Sequence, residues 1–325
     1  MTDIEHTASP TASGKSLGRR IFEFPLVALL LGLLAFVLLG FVIGLSYMGL
    51  AQATGADLEA PPEWLGTYLP AILLTVGSVI VLKLVLRRLG EQPQDDLPFD
   101  RRAGDFFVGI LFAAVLMSAI VAIAALLGGY RIVGWGGSTS FLMLFLMAGF
   151  QAAFFEEILF RGLMFRFLEE FFGSWIALLL SALAFGLVHW SNPNGTLFAG
   201  LAIALEAGIL LGGAYMLTRN LWFAIGIHWG WNVVQGYVWD VSVSGIAVDG
   251  LVEAQPVGDV LISGGAFGLE ASVIAMVLAT AAGLWLLKRA HDLGHIVSPW
   301  WVRRRKGLAL PTSTPPLSPT LALRE

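Results

Sequence analysis

The chain has 325 residues, 57% of them hydrophobic and only 13% charged, about half the ~25% charged share of an ordinary soluble domain. A soluble domain of this size cannot bury that much apolar surface and still cover itself with polar groups. The 19 Lys+Arg against 23 Asp+Glu leave no basic excess for nucleic acid, and the absence of cysteine excludes disulfides, thiolate metal sites and a cysteine nucleophile.

What is left is a polytopic membrane protein. Apolar stretches near 25–49, 66–86, 105–127, 145–170, 175–195, 197–217, 221–239 and 268–289 each approach the roughly 20 residues that cross a hydrocarbon core. They predict an all-α transmembrane helix bundle of about eight spans. A β-barrel is disfavoured, because these are continuous apolar runs and not short alternating segments. The first stretch is too long for a signal peptide and has no small-residue cleavage site.

Lys and Arg set the orientation. Lys15, Arg19, Arg20, Lys83, Arg87, Arg88, Arg101, Arg102, Arg219, Lys288, Arg289 and Arg303 to Lys306 fall on one side, and Arg131 opposes them. An integral membrane protein with both termini cytoplasmic is expected, in the plasma membrane of a prokaryote. The predicted organisation is a disordered N-terminal tail over 1–20 and three helices with their loops over 21–140. A helical region with polar motifs and the final span follows over 141–290. Residues 291–325 form an interfacial segment and a disordered tail, in which SPWWVRRRK at 298–306 suits the cytoplasmic leaflet.

Ionisable groups inside spans are expensive, so each calls for an explanation. The fourth span carries Glu156, Glu157 and Arg161, the fifth His189 with Asn192 just beyond, and the seventh His228 and Asn232. Glu157 and Arg161 are four apart and can pair, whereas Glu156 points roughly 140° away from Arg161 on a helical wheel. Two carboxylates against one guanidinium leave an acid without a partner. Phe185 and His189 are also four apart, so ring can lie on ring, and His228 and Asn232 share one stripe. At ~1.5 Å per residue, Glu156, His189 and Asn232 reach similar depths, roughly 18–22 Å from the same side, with His228 a turn shallower. Glu206, in the sixth span, has no evident explanation.

EExxxR at 156–161, FxxxH at 185–189 and HxxxN at 228–232, in that order, resemble the CAAX-processing and bacteriocin-self-immunity (CPBP, or Abi) family of intramembrane proteases. That family includes the type II CAAX prenyl endopeptidases, and the resemblance covers about 145–240. It implies an intramembrane endopeptidase acting on membrane-associated proteins or peptides. Glu156 and His189 would activate a water, while His228 and Asn232 would polarise the scissile carbonyl. Glu157, Arg161, Phe185 and Asn192 would support them. Glu156, His189 and His228 would be the ligands if a divalent metal such as zinc takes part, although a metal-free mechanism needs only the same residues. HExxH, GxGD and GxSG, the marks of other intramembrane proteases, are absent. The competing readings are a non-catalytic immunity or scaffold protein, in which the polar cluster is structural, and a proton-coupled transporter. The partners expected in every case are the lipid bilayer and, for a protease, its substrate, with no nucleic acid.

Overall fold

A computed structural model describes residues 16–91, 94–136, 141–308 and 310; most of the two predicted disordered tails lies outside them. The main helices are α1 (Pro25–Thr54), α2 (Leu69–Arg88), α3 (Asp105–Leu126), α4 (Phe141–Phe172), α5 (Ser174–Trp190), α6 (Leu197–Thr218), α7 (Trp222–Val233), α8 (Val273–Asp292) and α9 (Trp300–Lys306). Local chemistry fixes their ends. Pro25 opens α1 and left-handed Gly55 closes it. The Thr196 and Ser272 hydroxyls cap α6 and α8 by accepting from Ala199 N and Ala275 N, at 3.0 and 3.1 Å.

Six of the helices, α1 to α4, α6 and α8, are long and apolar enough to cross a membrane, α2 and α3 together with the short turns that precede them. The chain is thus a polytopic helical membrane protein. The fifth expected span is shorter than the sequence suggests, 17 residues in α5, while α7 runs on without a break into a π turn over Val234–Val238 and so matches the seventh expected span. α7 is an inner helix, since every residue in it except Trp229 is buried. A helix sheathed in protein need not match the bilayer thickness. By contrast, only 17% of the apolar window of α1 is buried, against 67% for α6, so α1 turns its side chains outward and α6 is an inner helix.

Small residues let the inner helices meet backbone to backbone, as packing without a hydrophobic driving force requires. A side chain at Gly109 of α3 would come within 2.5 Å of Phe223 O and 2.7 Å of Ile227 N in α7, and one at Gly230 within 2.8 Å of Ile110 Cα. Gly208 faces Ala182 of α5, and Gly213 faces Gly283 of α8 at 2.9 Å. Glycines 208, 212 and 213, the small-residue stretch of α6, are therefore packing contacts.

The two ends of the bundle differ. At one, Arg166 pairs with Asp96, Arg219 with Glu169 at 2.6 Å, and Arg303 with Glu91 at 3.1 Å. Trp300 of α9 stacks on Phe171 there, which ties the basic aromatic segment to α4. At the other end the chain departs from all-α: β1 (Tyr130–Trp135) pairs antiparallel with β2 (Val252–Pro256), with a bulge between Ile132 and Gly134. Asp240 accepts from Gly250 N and Ala254 N at 2.7 and 2.8 Å, giving this loop region the backbone partners it lacks as a helix.

The close α3–α7 contact gives a direct test. Gly109→Leu must push two backbones apart and should destabilise the protein by about 3 kcal/mol, visible as a lower thermal midpoint in detergent. Gly40→Leu, on the outward face of α1 with nothing within 4 Å, should leave the midpoint unchanged.

Candidate active site

The polar cluster begins with the shape of α4. It is not a uniform α-helix: π-helical turns over Leu144–Gln151 and Ile158–Phe165 flank a short α segment, Ala152–Glu157. Such wide turns are frequent at functional sites, and ordinary helical periodicity does not anticipate them. Glu156 and Glu157 end the central segment and point to different neighbours.

Glu157 is fully buried and answered twice. Its Oε1 accepts from Arg161 Nη1 at 2.9 Å and lies 2.8 Å from His228 Nδ1. Arg161, also fully buried, donates from Nη2 to Ala207 O of α6 at 3.1 Å and lies over the Phe185 ring at 4.5 Å. Phe185 also packs on His189, with ring centroids 4.4 Å apart. Arg161 thus touches α5 and α6 directly and reaches α7 through Glu157.

Glu156 has no such partner. Its Oε2 is buried and makes no hydrogen bond, yet His189 Nε2 lies 3.7 Å away and His228 Nε2 3.8 Å away. Separations of this kind, just beyond a direct hydrogen bond, suit a bridging water. The other ring nitrogens settle the tautomers. His189 Nδ1 is 2.8 Å from Phe185 O, which can only accept, so that nitrogen carries hydrogen. The bond from His228 Nδ1 to the Glu157 carboxylate has the same consequence. Each Nε2 facing Glu156 is then an acceptor when the ring is neutral and a donor when it is protonated.

His189, His228 and Asn232 line a cavity of about 30 Å³, room for one or two waters. Asn232 Nδ2 donates to Ala148 O at 2.8 Å, leaving its second N–H. Asn192 stands apart from this group: it lies beyond α5 and donates to Ser244 O at 3.2 Å, so it anchors the covering loop. Glu206, Ser244 and Glu270 lie on the same cavity wall. Glu270 escapes a reading of the sequence because it sits just before the last helix, where an acid looks like an ordinary loop charge.

The donors do not fit a metal centre. Among the described residues no group of three or more His, Asp or Glu side chains is disposed to hold an ion, and no step below is routed through one.

Residues 138–234 match the family model of the type II CAAX prenyl endopeptidases, Rce1-like. No curated protein and no solved structure matches the chain. The matched segment runs from the start of α4 to the end of α7 and contains all three motifs together with the buried Glu–His–Arg cluster. Among the described residues six helices are long and apolar enough to cross a membrane, and residues 138–234 of this membrane protein are similar to the type II CAAX prenyl endopeptidases, Rce1-like, a likeness that implies an intramembrane protease.

Proposed function

We propose that the protein hydrolyses peptide bonds of membrane-associated proteins or peptides with a water activated by Glu156 and His189. The observation that carries this reading is the buried, unpartnered Glu156 Oε2 with an imidazole nitrogen on either side. A purely structural cluster would leave that oxygen without a purpose, because an unsatisfied buried acceptor is costly. The constellation offers a base, two imidazoles and an amide but no hydroxyl or thiol nucleophile, which favours direct attack by water.

In the proposed reaction, Glu156 takes a proton from the water as its oxygen bonds to the scissile carbonyl carbon. Neutral His189, its Nδ1 hydrogen committed to Phe185 O, accepts a hydrogen bond from the water through Nε2 and aims it. The developing oxyanion is met by the Nε2–H of protonated His228 and by the free N–H of Asn232. Glu157 holds that imidazolium through Nδ1. The C–N bond then breaks, the proton on Glu156 passes to the leaving nitrogen, and a carboxylic acid and an amine result; the acid's remaining proton then passes to the amine, giving carboxylate and ammonium. We place the basic end of the bundle, with Arg219 and Arg303, on the cytoplasmic side.

Glu156→Gln and His189→Ala should each lower turnover by about 10²–10⁴-fold while the thermal midpoint stays near that of the wild type. Comparative proteomics of cells carrying wild type or Glu156→Gln should reveal a cleavage product missing only in the variant. Normal processing by folded, inserted Glu156→Gln and His189→Ala would overturn the proposal.

Arg161→Met separates architecture from chemistry. It leaves Glu157 buried without its cation and should cost about 3–5 kcal/mol of stability, read as a lowered thermal midpoint. Glu157→Gln keeps an acceptor for His228 Nδ1 but removes the charge. It should fold and lose about tenfold to a hundredfold in kcat.

A further inference from the structure

The proposed hydrolysis uses Glu156 with His189, His228 and Asn232, and leaves unexplained two buried carboxyls of the cavity that the last three line. Glu206 projects from the middle of α6 and is 1% exposed, and Glu270, just before α8, is 4% exposed. Both line the cavity that His189, His228 and Asn232 also line. Glu270 is held firmly: its Oε2 accepts from Ser244 N at 2.7 Å and Ser244 Oγ at 3.2 Å. Trp231, on α7 between His228 and Asn232, lines the same cavity, so Glu270 shares its wall with the frame of the site. Glu206 is the opposite case, since its buried Oε2 has no hydrogen-bond partner. No hydrogen bond joins the two carboxyls, which interact only as neighbouring charges.

Two acceptors on one small cavity, one of them orphaned, call for a donor from outside the chain. A membrane-buried carboxyl without a partner is too costly to be incidental. We propose that Glu206 and Glu270 form a subsite that takes the ammonium group of a substrate lysine close to the scissile bond. Three features select this ligand. The space is about 30 Å³, which suits a compact ammonium better than a planar five-donor guanidinium. Ile203, Leu210 and Leu211 on the same wall are apolar, as a lysine methylene stem requires. The fixed donor nearby, Ser244, already serves Glu270, so the open valence is for a donor and not for an acidic or carbonyl group.

The inference rests on the protease reading of the same cavity, and one experiment separates the two. The purified full chain in nanodiscs is given a library of hydrophobic peptides. Positions flanking each cleaved bond carry lysine, its uncharged isostere norleucine, arginine or glutamate. The wild type should cut the lysine member with kcat/KM about tenfold to a hundredfold above the norleucine member, at one position, with arginine well below lysine. In Glu206→Gln and Glu270→Gln that ratio should fall toward one. The ratio is internal to each variant, so a general loss of folded protein does not produce it. A wild-type ratio of one, which needs no variant, or an undiminished ratio in both glutamine variants overturns the subsite. If cleavage is Glu156-dependent but blind to lysine, only the subsite fails. If the wild type cuts no peptide, or Glu156→Gln cuts as well as the wild type, the protease reading fails and the subsite with it.

Discussion

The guanidinium of Arg161 is the group around which the polar layer is arranged. A fully buried cation is tolerated only when its donors and its charge are answered. Here the charge is answered by Glu157 one turn back on the same helix, and two further contacts come from Ala207 O on α6 and the face of Phe185 on α5, while Nε makes no hydrogen bond. Glu157 passes the constraint on to His228 of α7, and Phe185 passes it to His189. A single cation therefore fixes the relative placement of four helices at one level. Its charge has a further consequence. Arg161 balances one of the two adjacent carboxylates, so the cluster carries one negative charge when both imidazoles are neutral. One additional proton, on an imidazole or on Glu156, makes it neutral. A layer that sits one proton from neutrality is well disposed to exchange a proton with bound water.

Precision of this kind also needs rigid supports. The α3–α7 contact is made through Gly109 and Gly230 at backbone distance, which removes the freedom that longer side chains would leave. The π turns of α4 serve a related purpose on the opposite side of the cluster. They interrupt regular winding on both sides of Ala152–Glu157, and Gly149 and Gly162 lie within them. A side chain at Gly149 would meet the Trp229 indole at 2.5 Å, and one at Gly162 would meet Leu221 and Leu82 at 3.1 Å. The wide turns are therefore packed against α7 and α2, and not loosely formed.

The membrane character, most helices and the polar layer were legible in the sequence, because hydrophobic length and intramembrane charge are strong signals. Glu157–Arg161 and Phe185–His189 meet as their i,i+4 spacing suggests. Other features follow from tertiary context that no local pattern carries. α7 is covered by its neighbours, and apolar content alone cannot distinguish a lipid-facing helix from a buried one. Asn192 shares a helical spacing with His189, but α5 ends before it and the backbone turns, so its amide serves the loop at Ser244. The π turns hide behind ordinary helical periodicity. Glu270 reaches the cavity only through the fold of the 239–272 segment, which reads as a polar loop.

Charge compensation finally separates the acids by purpose. At the basic end, Asp96, Glu169 and Glu91 each meet an arginine, and those contacts tie loops and helix ends together. Glu157 meets both Arg161 and His228. Glu206, on the cavity wall, and Glu156, against the His189 and His228 rings, each have a buried oxygen without a hydrogen bond and no arginine on the other. Asp96 and Glu157 also have an unbonded oxygen, but in both the second oxygen is held by a cation. In a medium where an unanswered carboxyl is so unfavourable, a protein that satisfies its acids elsewhere keeps two open ones only if something arrives to satisfy them. The partner proposed for Glu156 is a water poised for attack, and for Glu206 a cation carried in by the peptide. On this view recognition and hydrolysis draw on one physical resource, acceptors left open inside a bundle that otherwise closes them.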